Sequence, residues 1–64
     1  MKNKKHKIPE YIVMSDYGYF TGLAYGGVPQ WSYNVRDAKP LNDMSKFHTL
    51  QSISHGLELI YEFI

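Results

Sequence analysis

The chain is 64 residues long, contains no cysteine and carries a formal net charge of +1. So short a chain makes one domain that buries only about 60% of the surface its unfolded form exposes, and the missing cysteines exclude a disulfide framework and a thiolate metal centre. Four basic residues, Lys2, Lys4, Lys5 and Lys7, sit at the start and leave Arg36, Lys39 and Lys46 against Glu10, Asp16, Asp37, Asp43, Glu58 and Glu62, so the folded body is mildly acidic.

Residues 1–7 hold no apolar residue after Met1 and read as a flexible basic tail, with a single domain over residues 8–64. The lysines look like the charged end of a signal peptide. Pro9, Glu10, Ser15 and Asp16 break the apolar run that should follow, so no export signal is expected. Nor does any stretch approach the roughly 18 apolar residues of a membrane helix. Together with the absence of cysteine this points to the cytoplasm and to no membrane partner.

Tyr11-Ile12-Val13-Met14 is aromatic and β-branched, Ser15-Asp16-Tyr17-Gly18 has turn composition, and Tyr19 to Ala24 can return as a second strand, which makes a β-hairpin. Gly18 falls where such a turn calls for a positive φ. Gly26-Gly27-Val28-Pro29 reads as a loop, because proline cannot donate to a sheet ladder. Gln30 to Tyr33 is a short extended piece, and Ser32 or Asn34 caps one helical turn through Val35-Arg36-Asp37. Pro40 keeps Lys39 out of the helical region, so Ala38 to Leu41 is extended and, if paired, an edge.

From Asn42 onward the pattern sharpens. Asn42 or Asp43 caps a helix in which Met44, Phe47, Leu50 and Ile53 recur at three-residue steps, and Gly56 ends it. At 100° per residue Phe47, Leu50 and Ser54 share one stripe, with Met44 and Ile53 on its shoulders, and that stripe faces a sheet. Leu57, Leu59, Tyr61 and Phe63 then alternate with Glu58, Ile60, Glu62 and Ile64, the period of a two-faced strand. The expected fold is α+β: an antiparallel sheet of three to four strands with one helix packed on one face, in the order β-β-α-β with an irregular stretch before the helix.

Catalytic groups are hard to find. His48 and His55 lie on one side of the helix but roughly 10 Å apart along its axis, too far to share a metal ion, and His48 has no ligand at the next turn. Ser45, Ser52 and Ser54 lack the glycines of a nucleophile elbow, the carboxylates are scattered singly, and Gly26-Gly27 lacks the spacing and lysine of a phosphate loop. No enzyme activity, metal or cofactor is expected. Lys2, Lys4, Lys5 and Lys7 could neutralise phosphates, which makes a small nucleic-acid-binding module one reading, although the acidic body opposes it.

The stronger signal is aromatic. Tyr17, Tyr19, Phe20, Tyr25, Trp31 and Tyr33 fall within seventeen positions, more than one small core can bury, and tyrosine and tryptophan are enriched at interface hot spots. Candidate partner contacts are therefore Tyr19, Tyr25, Trp31 and Tyr33, with Asp16, Asp37, Glu58 and Glu62 contributing charge. Ile60 and Ile64 point away from Leu59 and Phe63 on the last strand and are candidate contacts of a homodimer.

Tyr11 to Gly22, the segment from Trp31 through Asp37-Ala38-Lys39, the helix and the Gly56 to Phe63 strand also resemble small accessory proteins of phages and prophages. In these a "YIV…YFTG" hairpin precedes a "DAK" segment, an amphipathic helix and an "LELIYEF"-like strand. The resemblance implies a protein of host takeover or anti-defence that binds and inhibits or redirects a host component, such as a defence or nucleic-acid-processing enzyme, by stoichiometric protein binding. It carries over no catalytic residue. The alternatives are the nucleic-acid module above and a structural or assembly subunit forming homo-oligomers.

Overall fold

The computed structural model describes residues 9–64; the tail expected over residues 1–7, with Lys2, Lys4, Lys5 and Lys7, lies outside the described residues. Strands β1 (Tyr11–Ser15), β2 (Gly18–Ala24) and β3 (Val28–Ser32) precede a 3-10 turn at Val35–Asp37, the helix α1 (Met44–Ile53) and the strand β4 (Ile60–Phe63). The strands form one antiparallel sheet in the order β3-β2-β1-β4. With one helix against one face, the architecture is α+β.

Alternation along β1 decides the two faces. Tyr11 and Val13 are completely buried, and with Phe20, Leu41, Leu50 and Leu59 they make the core, onto which Trp31, Met44, Phe47 and Leu57 pack. Ile12 and Met14 point the other way and stay half-buried. The helix begins where its sequence says: Asp43 Oδ1 accepts from the Ser45 amide at 2.9 Å, satisfying one of the free amides of the first turn. That bond holds the Asp43 carboxyl below its ordinary pKa. Asn34 caps the 3-10 turn in the same way, accepting from Arg36 N at 3.0 Å.

Three local expectations are corrected. Val28 and Pro29 belong to β3 rather than to a loop, so three strands precede the helix; β3 is an edge, where a residue without N–H is tolerated. The final strand is shorter than its alternation: only Ile60–Phe63 pair, opposite Met14 to Tyr11, while Leu57 and Leu59 reach the core from irregular backbone.

The third correction is the segment before the helix, which is a wedge and not an edge. β1 and β2 are in register only at Met14–Tyr19 and Ser15–Gly18. Beyond that, Lys39 N donates to Phe20 O at 2.8 Å, and Leu41 and Tyr11 exchange both backbone bonds at 2.8 Å. The register shift of β2 between Phe20 and Gly22 falls beside this wedge, where the strands part.

Ser54 ends the helix on the core-facing stripe, and its buried hydroxyl finds no hydrogen-bond partner among the described residues. An unsatisfied buried hydroxyl costs about 1–3 kcal/mol. Ser54→Ala is therefore expected to stabilise the domain by about 1 kcal/mol, read as a higher midpoint in urea unfolding at unchanged slope.

Candidate functional site

The face that α1 does not cover is built by strand register. Met14 stands opposite both Tyr19 and Ile60, Ile12 opposite Glu62, and Tyr19 opposite Ser32, and directly opposed residues share a face. Across the three strands this gives a surface of Ile12, Met14, Tyr19 and Ile60, of which Ile60 is 57% exposed. At the end formed by the β1–β2 turn it deepens into a hollow of about 300 Å³ lined by Met14, Ser15, Asp16, Glu58 and Ile60. Two carboxylates and, among the described residues, no cation line that hollow.

Gly18 shapes this end of the sheet. Its φ is +106°, and a Cβ there would lie 2.3 Å from Ser32 O and 2.9 Å from Tyr33 N. Because the backbone of β3 comes this close, Tyr33 can donate from its hydroxyl to Asp16 O at 3.2 Å. Ser32 Oγ in turn donates to Asp37 Oδ2 at 2.9 Å and accepts from Asn34 N, fixing the 3-10 turn to the same end. Tyr19, Tyr33, Asp16, Asp37 and Glu58 thus gather around one end of the sheet, and Glu62 lies further along the uncovered face.

Two of the candidate aromatics go elsewhere. Tyr25, 98% exposed, sits at the tip of the β2–β3 hairpin, at the far end of a seven-residue strand and so about 20 Å from the others at 3.3 Å per residue. Trp31 lies opposite Phe20 on the helix side, their ring centroids 5.8 Å apart, and packs against the core. Ile60 is on the uncovered face, and Ile64 follows β4 with its amide bonded to Glu10 O. His48 meets Phe47 edge-on, the ring centroids 6.0 Å apart, and among the described residues no three His, Asp or Glu side chains converge in a way that could hold a metal ion. No helix among the described residues is long and apolar enough to cross a membrane.

A second concavity escapes sequence reasoning. Between α1 and β2 a groove of about 620 Å³ has a floor of Phe20, Leu41 and Leu50, with Lys39 and Lys46 and, among the described residues, no carboxylate in its lining. Seven positions separate these lysines in sequence, on two different elements, so only the wedge at 39–41 brings them to one groove. The chain matches no family model, and neither the curated proteins nor the solved structures include one similar to it. What can be assigned is a class: a small α+β domain with one sheet face clothed by a helix and the other, among the described residues, open and acid-rimmed.

Proposed function

We propose that this chain is a non-enzymatic binding protein that acts stoichiometrically on a protein partner through the open sheet face. The observation that carries the reading is the combination of apolar side chains, Ile12, Met14, Tyr19 and Ile60, with the acidic Asp16, Glu58 and Glu62 on a face the helix leaves bare. Its complement is an apolar surface ringed by lysine and arginine, the chemistry of a nucleic-acid channel. The resemblance to phage accessory proteins makes the expected partner a host defence or nucleic-acid-processing protein in the bacterial cytoplasm, inhibited by occupation of that channel.

The test is a comparison of variants. Tagged wild-type chain, the charge reversal Asp16→Lys/Glu58→Lys and the tip variant Tyr25→Ala are used as baits in nuclease-treated bacterial lysate, with folding checked by circular dichroism. The double reversal is expected to lose a partner captured stoichiometrically by the wild type, more than ten-fold, and Tyr25→Ala to retain it. Equal capture by all three, or loss confined to Tyr25→Ala, contradicts the assignment to this face.

A further inference from the structure

The two edges of the sheet are unlike. β3 carries Pro29, which has no N–H to offer, with Gln30 and Ser32 beside it, the composition that blunts an edge against pairing. β4 reads Ile60-Tyr61-Glu62-Phe63, without proline or lysine, and is exposed at every position. Its side chains include apolar groups on both faces, with Glu62 the one charge. Ile60 stands on the open side, and Tyr61 and Phe63 on the helix side continue the ring network, with centroids 5.0 Å apart for Phe47–Tyr61, 5.7 Å for Tyr11–Tyr61 and 5.5 Å for Tyr61–Phe63.

Among the described residues, the hydrogen-bonding groups left unpaired on this edge follow from the parity of the ladder. Tyr11 spends its N–H and C=O on Leu41, on the side away from β4, so its pairing with Phe63 is a non-hydrogen-bonded one; Ile64 N donates instead to Glu10 O. In an antiparallel ladder the two kinds of pair alternate. Glu62 and Ile60 therefore bond inward to β1, and the N–H and C=O of Tyr61 and Phe63 point outward from the sheet.

We propose that β4 pairs antiparallel with β4 of a second copy of this chain across a two-fold axis at Tyr61, joining two four-stranded sheets into one of eight. Two-fold symmetry requires one residue to lie opposite itself. Two registers use the outward groups and most of β4. The one centred on Glu62 sets two Glu62 carboxylates directly opposite each other, with Cβ atoms about 4.5–5.5 Å apart, where like charges repel. The one centred on Tyr61 sets Glu62 opposite Ile60 of the second copy and Phe63 opposite its Leu59, so no carboxylates meet. Charge thus selects the register, and the pairing covers Tyr61 and Phe63 with the second copy's rings.

The chain has no cysteine, so introduced thiols report the register without background. Ile60→Cys and Glu62→Cys are made separately, both at exposed positions, checked for fold by circular dichroism, mixed in equal amounts and oxidised gently. The Tyr61-centred pair places these positions opposite each other as a non-hydrogen-bonded pair with Cα atoms about 4.5 Å apart, within reach of a disulfide. The mixed Ile60→Cys/Glu62→Cys disulfide is expected to exceed the Ile60→Cys homodimer, which keeps both Glu62 carboxylates, at least ten-fold, and the wild type to sediment as a dimer. A dominant Ile60→Cys homodimer, which would place the two-fold axis at position 60, overturns the register. Statistical proportions of the three species, or a monomeric mass for the wild type, overturn the dimer itself.

Discussion

Gly18→Ala is expected to unfold the domain or bring it to the edge of unfolding. Two penalties coincide at this position. An alanine would hold φ at +106°, a region that costs a residue with a Cβ about 1–3 kcal/mol. Its methyl would also sit 2.3 Å from Ser32 O, a backbone atom that cannot turn aside, and overpacking of this kind adds about 1–3 kcal/mol. A core this small rarely supplies more than about 3–5 kcal/mol, so the sum is comparable with the whole stability. Gly26→Ala makes the control: its φ is +90°, but nothing among the described residues lies within 4 Å of the added methyl. Urea unfolding should show a loss of about 1–2 kcal/mol for Gly26→Ala and at least twice that for Gly18→Ala; equal losses would mean that the approach of β3 to the turn is not as described.

Tyr11→Ala is expected to be the most damaging change in the core. Tyr11 is fully buried, its ring meets Tyr61 and Phe63 edge-on, and its hydroxyl donates to Asp43 O at 2.6 Å beneath the first turn of the helix. Removing a buried aromatic costs about 3–5 kcal/mol, which again matches the stability available. Tyr11→Phe separates ring from hydroxyl. Asp43 O keeps its bond from Lys46 N at 3.0 Å, so the phenylalanine variant should lose only about 0.5–1.5 kcal/mol.

The same tyrosine sets a pH limit. Burial, and then the nearby Asp43 and Tyr61 charges, raise its pKa above the ordinary value of 10.0, against an opposing contribution from the Phe47 amide. A group whose folded pKa is raised contributes stability that is complete below the unfolded pKa and lost as pH rises through the folded one. Wild type should therefore lose stability above about pH 10 in excess of what Tyr11→Phe loses. Parallel pH curves for the two would contradict the buried position of the phenol.

The legible parts of the fold were those in which one local rule acted alone. Asp43, the Met44 to Ile53 periodicity and Gly56 sit close together, and each is satisfied within its own element. The β1–β2 turn is equally plain, because the positive φ it asks of Gly18 is a local need, although the approach of β3 to the same glycine is not. Val28-Pro29 reads as a loop in sequence because whether proline is tolerated in a strand depends on whether that strand is an edge, which is a property of the sheet. The wedge at 39–41 was invisible for a related reason: the bonds that place it come from Phe20 and Tyr11, nineteen and thirty positions away in sequence. In the candidate site, residue type pointed to Tyr19, Tyr33 and the acids, yet only strand register could separate Trp31 onto the helix side and send Tyr25 to the far tip. Ile12 and Met14 belong to the open face as firmly as Tyr19 does, and the alternation of β1 was the signal that could have named them.

Carboxyl footprinting tests the open-face assignment most directly, because the acidic side chains are spread over both sides of the sheet and act as built-in reporters. The chain is labelled with carbodiimide and an amine, alone and in complex with the captured partner, and each carboxylate is read by mass spectrometry. Protection of Asp16 and Glu58 on binding, with Asp43 on the helix side labelled as before, is the predicted result. Protection of Asp43 with Asp16 and Glu58 unchanged would place the partner on the helix side, by the Lys39 and Lys46 groove, and contradict the account.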